Sequence, residues 1–146
     1  MLCIGHNPGT NHPRMLGTLR EVSKRGATIV AINPLRERGL ERFTSPQSPV
    51  EMLSLSSTTL ASTYYKVRVG GDAAMLKGVM KCLLVMHERA LAAGEPGVLD
   101  ESFISEHTEG FDALKADLDA TDWPHILKVS GMTFEEIQNI AHLYAK

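Results

Sequence analysis

Two short apolar runs near the start of the chain are separated by a glycine-rich turn and an amphipathic segment. The first run, Leu2 to Ile4, ends at Gly5, and the second, Thr28 to Ile32, ends at Asn33. Between them, Pro13 to Arg25 carries apolar side chains at three- and four-residue spacing, which predicts a helix with one buried face. The order strand, turn, helix, strand predicts a right-handed βαβ unit with parallel strands.

Later patterns extend this prediction. The segment Ile29 to Ile32 is apolar at every position, which indicates a strand buried on both faces. Alternation from Tyr64 to Val69 predicts a third, partly exposed strand, and Asp72 is expected to cap a long helix. We therefore expect an α/β fold with a Rossmann-like parallel sheet of three strands, the first of them central, flanked by helices.

Short helices are predicted for the last third of the chain. Asp100 is expected to cap one helix, a second runs from Gly110 to Leu118, and Asp122 precedes a third that has Pro124 in its first turn. Thr133 to Glu136 has the spacing of a capping box and opens a helix that reaches Tyr144. The C-terminal part is therefore expected to be mainly helical.

The domain prediction treats residues 1–146 as one incomplete domain, with an α/β part over residues 1–98 and a helical part over residues 99–146. Met1 is followed at once by a sheet strand, and the last helix would normally lead into another strand, so we expect a fragment of a larger fold. Surfaces exposed by truncation are expected to self-associate. The connection from Thr44 to Thr63 is unusually long, which is typical of a functional loop or of one held by a partner.

Composition and charge exclude several function classes. The chain is 43% hydrophobic with a net charge of −2, and it has no apolar run long enough to span a bilayer, so no membrane role is expected. Cys3 and Cys82 are expected to be buried thiols in a cytoplasmic protein. Residues 126–137 could form a helix–turn–helix, but residues 99–146 hold 10 acidic and 3 basic side chains, which argues against nucleic-acid binding.

The glycine-rich turn after the first strand predicts a nucleotide ligand, because it lies at the carboxyl edge of the sheet, where helix N-terminal N–H groups face a phosphate. The usual dinucleotide fingerprint is not matched, since Asn7 and Thr10 stand where glycines would be needed. A turn that binds nothing remains the alternative. Five arginines lie in or beside the predicted carboxyl-end loops: Arg14, Arg36, Arg38, Arg42 and Arg68.

No catalytic or metal-ligating set is recognisable. His6 and His12 form the only histidine pair near the predicted site, and neither has a nucleophile or a third orienting group at a suitable spacing.

Four ordered motifs make the chain similar to a known family. The chain resembles the molybdopterin-dependent oxidoreductases of the formate dehydrogenase and dimethyl sulfoxide reductase superfamily, and most closely the formate-dehydrogenase-like alpha subunits. The motifs run from Ile4 to Met15, Ile29 to Pro34, Val67 to Asp72 and His107 to Phe111. The resemblance implies an internal piece of the α/β domain that holds one guanine dinucleotide arm of a bis-molybdopterin cofactor.

The resemblance also implies site residues. The first turn would approach the cofactor phosphates, the end of the second strand would lie beside the guanosine, and the turn after the third strand would contact the nucleotide. The corresponding residues are Gly5, Asn7, Thr10, Asn11 and His12 in the first turn, Asn33, Pro34 and Arg36 after the second strand, and Val69, Gly70, Gly71 and Asp72 after the third.

Two features qualify what the resemblance implies. Many relatives have Asp-Pro-Arg where this chain has Asn33-Pro34-Leu35, so an amide replaces a carboxylate and the arginine is displaced to Arg36. The ligand to molybdenum or tungsten lies outside the matched segment in relatives, and the cofactor's dithiolenes would hold the metal. We expect molybdopterin guanine dinucleotide to be absent from the isolated chain, no turnover by it, and the remainder of the parent oxidoreductase as its partner. A non-catalytic structural remnant and a generic nucleotide-binding module are the alternatives.

Overall fold

The computed structural model describes residues 1–54 and 56–146. The chain divides into two compact units, Met1–Lys66 and Val67–Lys146. Unit 1 contains β1 (Leu2–Ile4), α1 (Pro8–Asn11), α2 (Pro13–Lys24), β2 (Val30–Ile32), α3 (Arg38–Glu41), β3 (Arg42–Phe43), α4 (Pro49–Ser54), β4 (Thr58–Thr59) and β5 (Thr63–Tyr65). Unit 2 contains α5 (Asp72–Ala92), α6 (Glu101–His107), α7 (Phe111–Ala120), α8 (Trp123–Ser130) and α9 (Phe134–Tyr144).

The sheet of unit 1 is parallel and has the order β1-β2-β5. The predicted α/β fold with three parallel strands is therefore confirmed, but the prediction that the first strand is central was wrong. The central strand is β2, whose residues are all buried, with at most 1% of each residue exposed. A strand that is apolar at every position is expected to be buried on both faces, and each residue of β2 is buried.

The core of unit 1 lies between α2 and the sheet. Leu16 and Leu19 of α2 pack with Cys3 of β1 and Ala31 of β2 in one buried cluster. The helix predicted from Pro13 to Arg25 is therefore confirmed, and it packs on the sheet as its apolar stripe requires.

The structure adds detail to two segments of unit 1. The third strand is shorter than the predicted Tyr64 to Val69, because the chain leaves the sheet after Tyr65. Val67 is instead buried in unit 2, where the N–H of the next residue bonds to the Ser130 carbonyl. The connection from Thr44 to Thr63 is not structureless, since it contains α4 and β4, and β4 pairs antiparallel with β3.

Unit 2 is helical, and α5 packs against α8 and α9. Unit 2 begins at Val67 and therefore includes α5. The sequence pattern had predicted α5 to belong to an α/β part over residues 1–98. The prediction that Asp72 caps α5 was wrong: Gly71 is the N-cap, without a side-chain bond, and Asp72 is the first helical residue. That the whole chain is one incomplete domain stays a prediction.

The other helix starts in unit 2 follow their sequence signals. The side chain of Asp100 accepts from the Phe103 N–H, and that of Asp122 accepts from the His125 N–H. Thr133 and Glu136 form the predicted reciprocal capping box. Cap residues were readable from the sequence because both partners of each bond lie within one turn of helix.

Two further findings concern the cysteines and the length of the apolar helices. Cys3 and Cys82 are both buried and unpaired, as predicted, and burial raises the pKa of each thiol. Over the described ranges, none of the helices combines the length and the apolar character that a bilayer crossing requires.

Candidate functional site

The ends of β1 and β2 are joined by the side chain of Asn33. This side chain is buried, with 3% of the residue exposed. Its Oδ1 accepts from the His6 N–H at 2.9 Å, and its Nδ2 donates to the His6 carbonyl at 2.7 Å. Just before this bridge, Gly5 has a φ of +63° and donates its N–H to the Ile32 carbonyl at 3.0 Å. The turns after the first two strands are therefore locked together.

This bridge assigns a structural role to Asn33. An amide can accept from one backbone group and donate to another, whereas an ionised carboxylate only accepts. Asparagine thus suits the position, where many members of the family that the chain resembles have aspartate. Both side-chain amide atoms of Asn33 bond to His6 inside the protein, a role that could not be predicted from the sequence; the family resemblance implied a place beside the guanosine.

The turn after β1 also satisfies much of its own hydrogen bonding. The Asn7 carbonyl accepts from the N–H groups of Thr10 and Asn11, and the Asn7 side-chain oxygen accepts from the Thr10 N–H at 3.3 Å. The other side-chain atom of Asn7, Nδ2, donates to Glu37 at 2.7 Å. The N–H groups of Thr10 and Asn11 are therefore engaged within the turn itself.

Two glycines bring α1 and α3 into backbone contact. A Cβ atom on Gly39 would lie 2.7 Å from the Cα of Gly9, and a Cβ on Gly9 would lie 3.1 Å from the Cα of Gly39. Any larger residue at position 39 would therefore separate the two short helices. Gly39 was missed in the sequence analysis, because its only sequence signal is a glycine amid charged residues.

The loop after β2 is held by Tyr64. The Glu37 N–H donates to the Tyr64 hydroxyl at 3.1 Å, and that hydroxyl donates to the Leu35 carbonyl. Arg36, a predicted site residue, pairs with Glu41 at 2.6 Å, and its guanidinium lies 5.7 Å from the centre of the Tyr64 ring. Arg36 is thus already partnered by an anion and an aromatic face.

Two other arginines remain available to a ligand. Arg38 and Arg42 are exposed, and no bond or ion pair engages either guanidinium within the described residues. Both arginines line two cavities of about 550 Å³ each. One cavity also has Asn7, Gly9 and Thr10 among its lining residues, and the other has Arg36, Tyr64 and Thr63. Cationic side chains therefore meet the predicted turn in unit 1.

The remaining predicted residues of unit 1 lie around this turn. Thr10, Asn11 and His12 are exposed, and Pro34 is half-buried next to the Asn33 bridge. The rings of His6 and His12 are stacked, with centroids 5.2 Å apart. The Nδ1 atom of His6 is buried and has no hydrogen-bond partner among the described residues. The pair is not arranged as an acid–base dyad, because stacked rings do not point their nitrogen atoms at one another.

The third predicted turn lies in unit 2. Val69 is 88% exposed, and Gly70 has a φ of +78°. Gly71 packs closely on the end of α8, since a Cβ there would lie 2.8 Å from the Cα of Ser130. Asp72 then opens α5. The structure therefore brings the first two predicted turns together, and the convergence of the third with them stays a prediction.

Comparison with known proteins gives long but partial matches. Protein YdeP of Escherichia coli K12 is 56% identical over 145 residues, which are 99% of this chain and 19% of that protein. The uncharacterized oxidoreductase Rv2900c of Mycobacterium tuberculosis is 37% identical over 142 residues, 97% of this chain and 18% of that protein. The chain thus spans about a fifth of the length of these curated relatives.

More distant matches carry more specific names. The assimilatory nitrate reductase catalytic subunit of Bacillus subtilis is 23% identical over 146 residues, all of this chain and 17% of that protein. Among solved structures, acetylene hydratase from Pelobacter acetylenicus matches 96% of this chain and 16% of its own, with a TM-score of 0.67 and 22% identity, which is a likeness of fold. No family model matches the chain. Several of the matched relatives are therefore named as oxidoreductases, one of them as a nitrate reductase catalytic subunit.

Proposed function

We propose that this chain is a nucleotide-binding segment of a molybdopterin-dependent oxidoreductase, and that unit 1 holds one guanine dinucleotide arm of the cofactor. The observation that carries the proposal is the cavity of about 550 Å³ that Asn7, Gly9 and Thr10 share with Arg38 and Arg42. It combines the turn predicted from the sequence with two guanidinium groups that are free to bind an anion.

The residues present fit the chemistry of a pyrophosphate. Guanidinium groups bind phosphate oxygens through charge-assisted, often bidentate hydrogen bonds, and Arg38 and Arg42 are the candidates for this contact. Thr10 lines the same cavity, Asn11 is exposed in the same turn, and both side chains can add neutral hydrogen bonds. The Asn33 bridge and the Tyr64 contacts hold the two loops in place, so that little loop ordering is needed on binding.

The comparisons support this proposal at the level of the family. A relative named as a nitrate reductase catalytic subunit and several named as oxidoreductases are consistent with a redox enzyme as the parent protein. The formate-dehydrogenase-like assignment rests on the sequence motifs alone. When bound, molybdopterin supplies the metal and its dithiolene ligands, so this chain contributes binding and orientation, and we expect no turnover from it alone.

The direct test is titration of guanine nucleotides into isotope-labelled protein, followed through amide shifts. GDP is expected to shift residues 5–12 and 33–42 with a dissociation constant of about 0.1 to 1 mM, on the order of −4 to −5.5 kcal/mol. Arg38→Gln and Arg42→Gln are each expected to weaken binding about fivefold, the effect of losing an exposed charge interaction of about 1 kcal/mol. Arg25→Gln is the matched control, since Arg25 is exposed in the same unit at the end of α2.

Guanosine and ADP complete the test. Guanosine lacks the phosphates and is expected to bind more weakly than GDP. Comparison of ADP with GDP tests whether the protein recognises the guanine base. Absence of shifts at millimolar GDP, or shifts centred on the acidic helices after Asp100, would contradict the proposal and leave a structural remnant. Equal loss of affinity in all three arginine variants would reduce the interaction to nonspecific charge attraction.

A further inference from the structure

Glu37 places a carboxylate among the cations of the candidate site. It is half-buried, and it lines the same cavity of about 550 Å³ as Arg38 and Arg42. Within the part of the chain that the structure describes, Glu37 forms no ion pair with either arginine. A carboxylate beside two guanidinium groups weakens their attraction for a phosphate. Phosphate binding therefore gives no reason for an acid at this position, and another contact has to account for it.

The carboxylate of Glu37 is held at one of its two oxygens. Its Oε2 accepts from Asn7 Nδ2 at 2.7 Å, and the Glu37 N–H donates to the Tyr64 hydroxyl at 3.1 Å. Glu37 is the N-cap residue of α3, but its side chain makes no capping bond to that helix. The other oxygen, Oε1, has no hydrogen-bond partner among residues 1–54 and 56–146. One oxygen of a positioned carboxylate thus remains available as an acceptor.

The chemistry of a nucleotide limits what this oxygen can bind. An ionised carboxylate accepts hydrogen bonds and cannot donate them. A guanine nucleotide offers donors on its ribose hydroxyls and on its base, whereas its ionised phosphate oxygens are acceptors. The ribose is bonded directly to the phosphate, and Glu37 shares one cavity with the two arginines that are candidates for phosphate contact. This closeness favours the ribose over the more distant base.

The position of Glu37 along the chain supports the same contact. In α/β folds that bind dinucleotides, an acidic residue beyond the glycine-rich turn and its helix accepts from a ribose hydroxyl. Here the loop after β2 has Glu37 as the only acidic residue between Asn33 and Arg38 in the sequence. Asn33 ends that strand, but both of its side-chain amide atoms bond to His6. Glu37 is therefore the acid that this loop provides.

We infer that Glu37 Oε1 accepts a hydrogen bond from a ribose hydroxyl of the bound nucleotide. The inference rests on the proposed function, because it requires a nucleotide in the cavity. Asn7 fixes one oxygen of the carboxylate, and the other oxygen meets the sugar. The contact makes the site selective for nucleotides that carry ribose hydroxyls, and 2′,3′-dideoxy-GDP is the matched probe because it keeps the base and the phosphates of GDP.

Amide-shift titrations of GDP and 2′,3′-dideoxy-GDP into the wild type and two variants test the inference. The wild type is expected to bind GDP about fivefold more tightly than the dideoxy nucleotide, the effect of one hydrogen bond to a charged group. In Glu37→Ala this ratio is expected to fall to about one, and in Glu37→Gln to about two, because a neutral hydrogen bond is weaker than a charge-assisted one.

Glu41→Ala is the matched control. Glu41 lies at the other end of α3 and pairs with Arg36, so its removal makes the same change of charge close to the same cavity. A general change of charge alters the affinity for both nucleotides by the same factor, since both carry the same phosphates. The control is therefore expected to keep the wild-type ratio of about five.

The ratio separates contact with the ligand from a purely structural role. If Glu37 only holds Asn7, both Glu37 variants change the two affinities equally, and an unchanged ratio overturns the inference. Equal affinity of the wild type for the two nucleotides also overturns it, while the proposed nucleotide site stands. Absence of GDP binding contradicts both proposals. A preference for GDP over IDP that Glu37→Ala abolishes, with the dideoxy ratio unchanged, would assign the carboxylate to the base and overturn the ribose contact.

Discussion

At the residue scale, Asn33 links two strands that are far apart in the sequence. Its side chain bonds to both backbone groups of His6, 27 residues away. The same residue ends the apolar run of β2, so its position was visible in the sequence while its partner was not. A single buried amide thus ties the turn after β1 to the end of β2.

Replacing this amide by an acid is expected to destabilise unit 1. Asn33→Asp loses the donor to the His6 carbonyl and sets a buried carboxylate beside that oxygen, at a cost of about 1 to 3 kcal/mol. Urea unfolding followed through amide signals of residues 1–66 measures the change. Asn11→Asp is the control, since Asn11 is exposed and the substitution is the same. Equal midpoints for the two variants would contradict the structural role of Asn33.

At the element scale, α4 is attached to α2 by Glu51. The pKa of Glu51 is lowered from 4.5 to about 2, first by the hydrogen bond from the Ser45 N–H and then by that from Arg20. A carboxyl whose pKa is lower in the folded state stabilises that state above the unfolded pKa, and this contribution is lost as the pH falls through the folded pKa. The attachment of α4 is thus expected to weaken on acidification.

The wild-type unit 1 is expected to lose stability as the pH falls from about 5 to about 2. The variant Glu51→Gln is expected to lose less, because it lacks the titrating carboxyl. Urea midpoints of unit 1 signals at several pH values measure this loss. Glu21→Gln is the matched control, because Glu21 pairs with the same arginine but its side chain is 63% exposed. A pH profile that Glu51→Gln leaves unchanged would disprove the role given to this carboxylate.

At the scale of the whole molecule, charge is divided between the two units. Residues 1–66 contain 8 Lys and Arg and 4 Asp and Glu, whereas residues 67–146 contain 7 and 13. The net charges are therefore +4 and −6, which together give the −2 of the chain. A nucleotide anion is expected to bind to unit 1 despite the negative charge of the whole chain.

This binding is expected to depend on salt. Raising KCl from about 50 mM to about 500 mM should raise the dissociation constant for GDP several-fold, because exposed charge interactions are screened. Arg38→Gln/Arg42→Gln should bind more weakly and show less salt dependence. Calorimetric titration at both concentrations measures the effect. Salt-independent binding by the wild type would exclude the two arginines as phosphate contacts.

The sequence by itself determined the features that depend on neighbours along the chain. The helix caps at Asp100 and Asp122 and the capping box at Thr133 rest on partners within about one turn. The α/β class and the helix over Pro13–Lys24 rest on the period of apolar positions along each segment. Such signals are readable because the chain itself brings these groups together.

Only the tertiary structure decided which distant residues meet. The central place of β2, the bond of Asn33 to His6 and the ion pair of Glu51 with Arg20 join groups 27 to 33 residues apart. The apolar run of β2 predicts burial but not its neighbours, and an acidic residue among Val50, Met52 and Leu53 gives no sign that it is the one buried. Such pairings depend on how helices and strands pack, because packing selects among many partners that the sequence pattern permits equally.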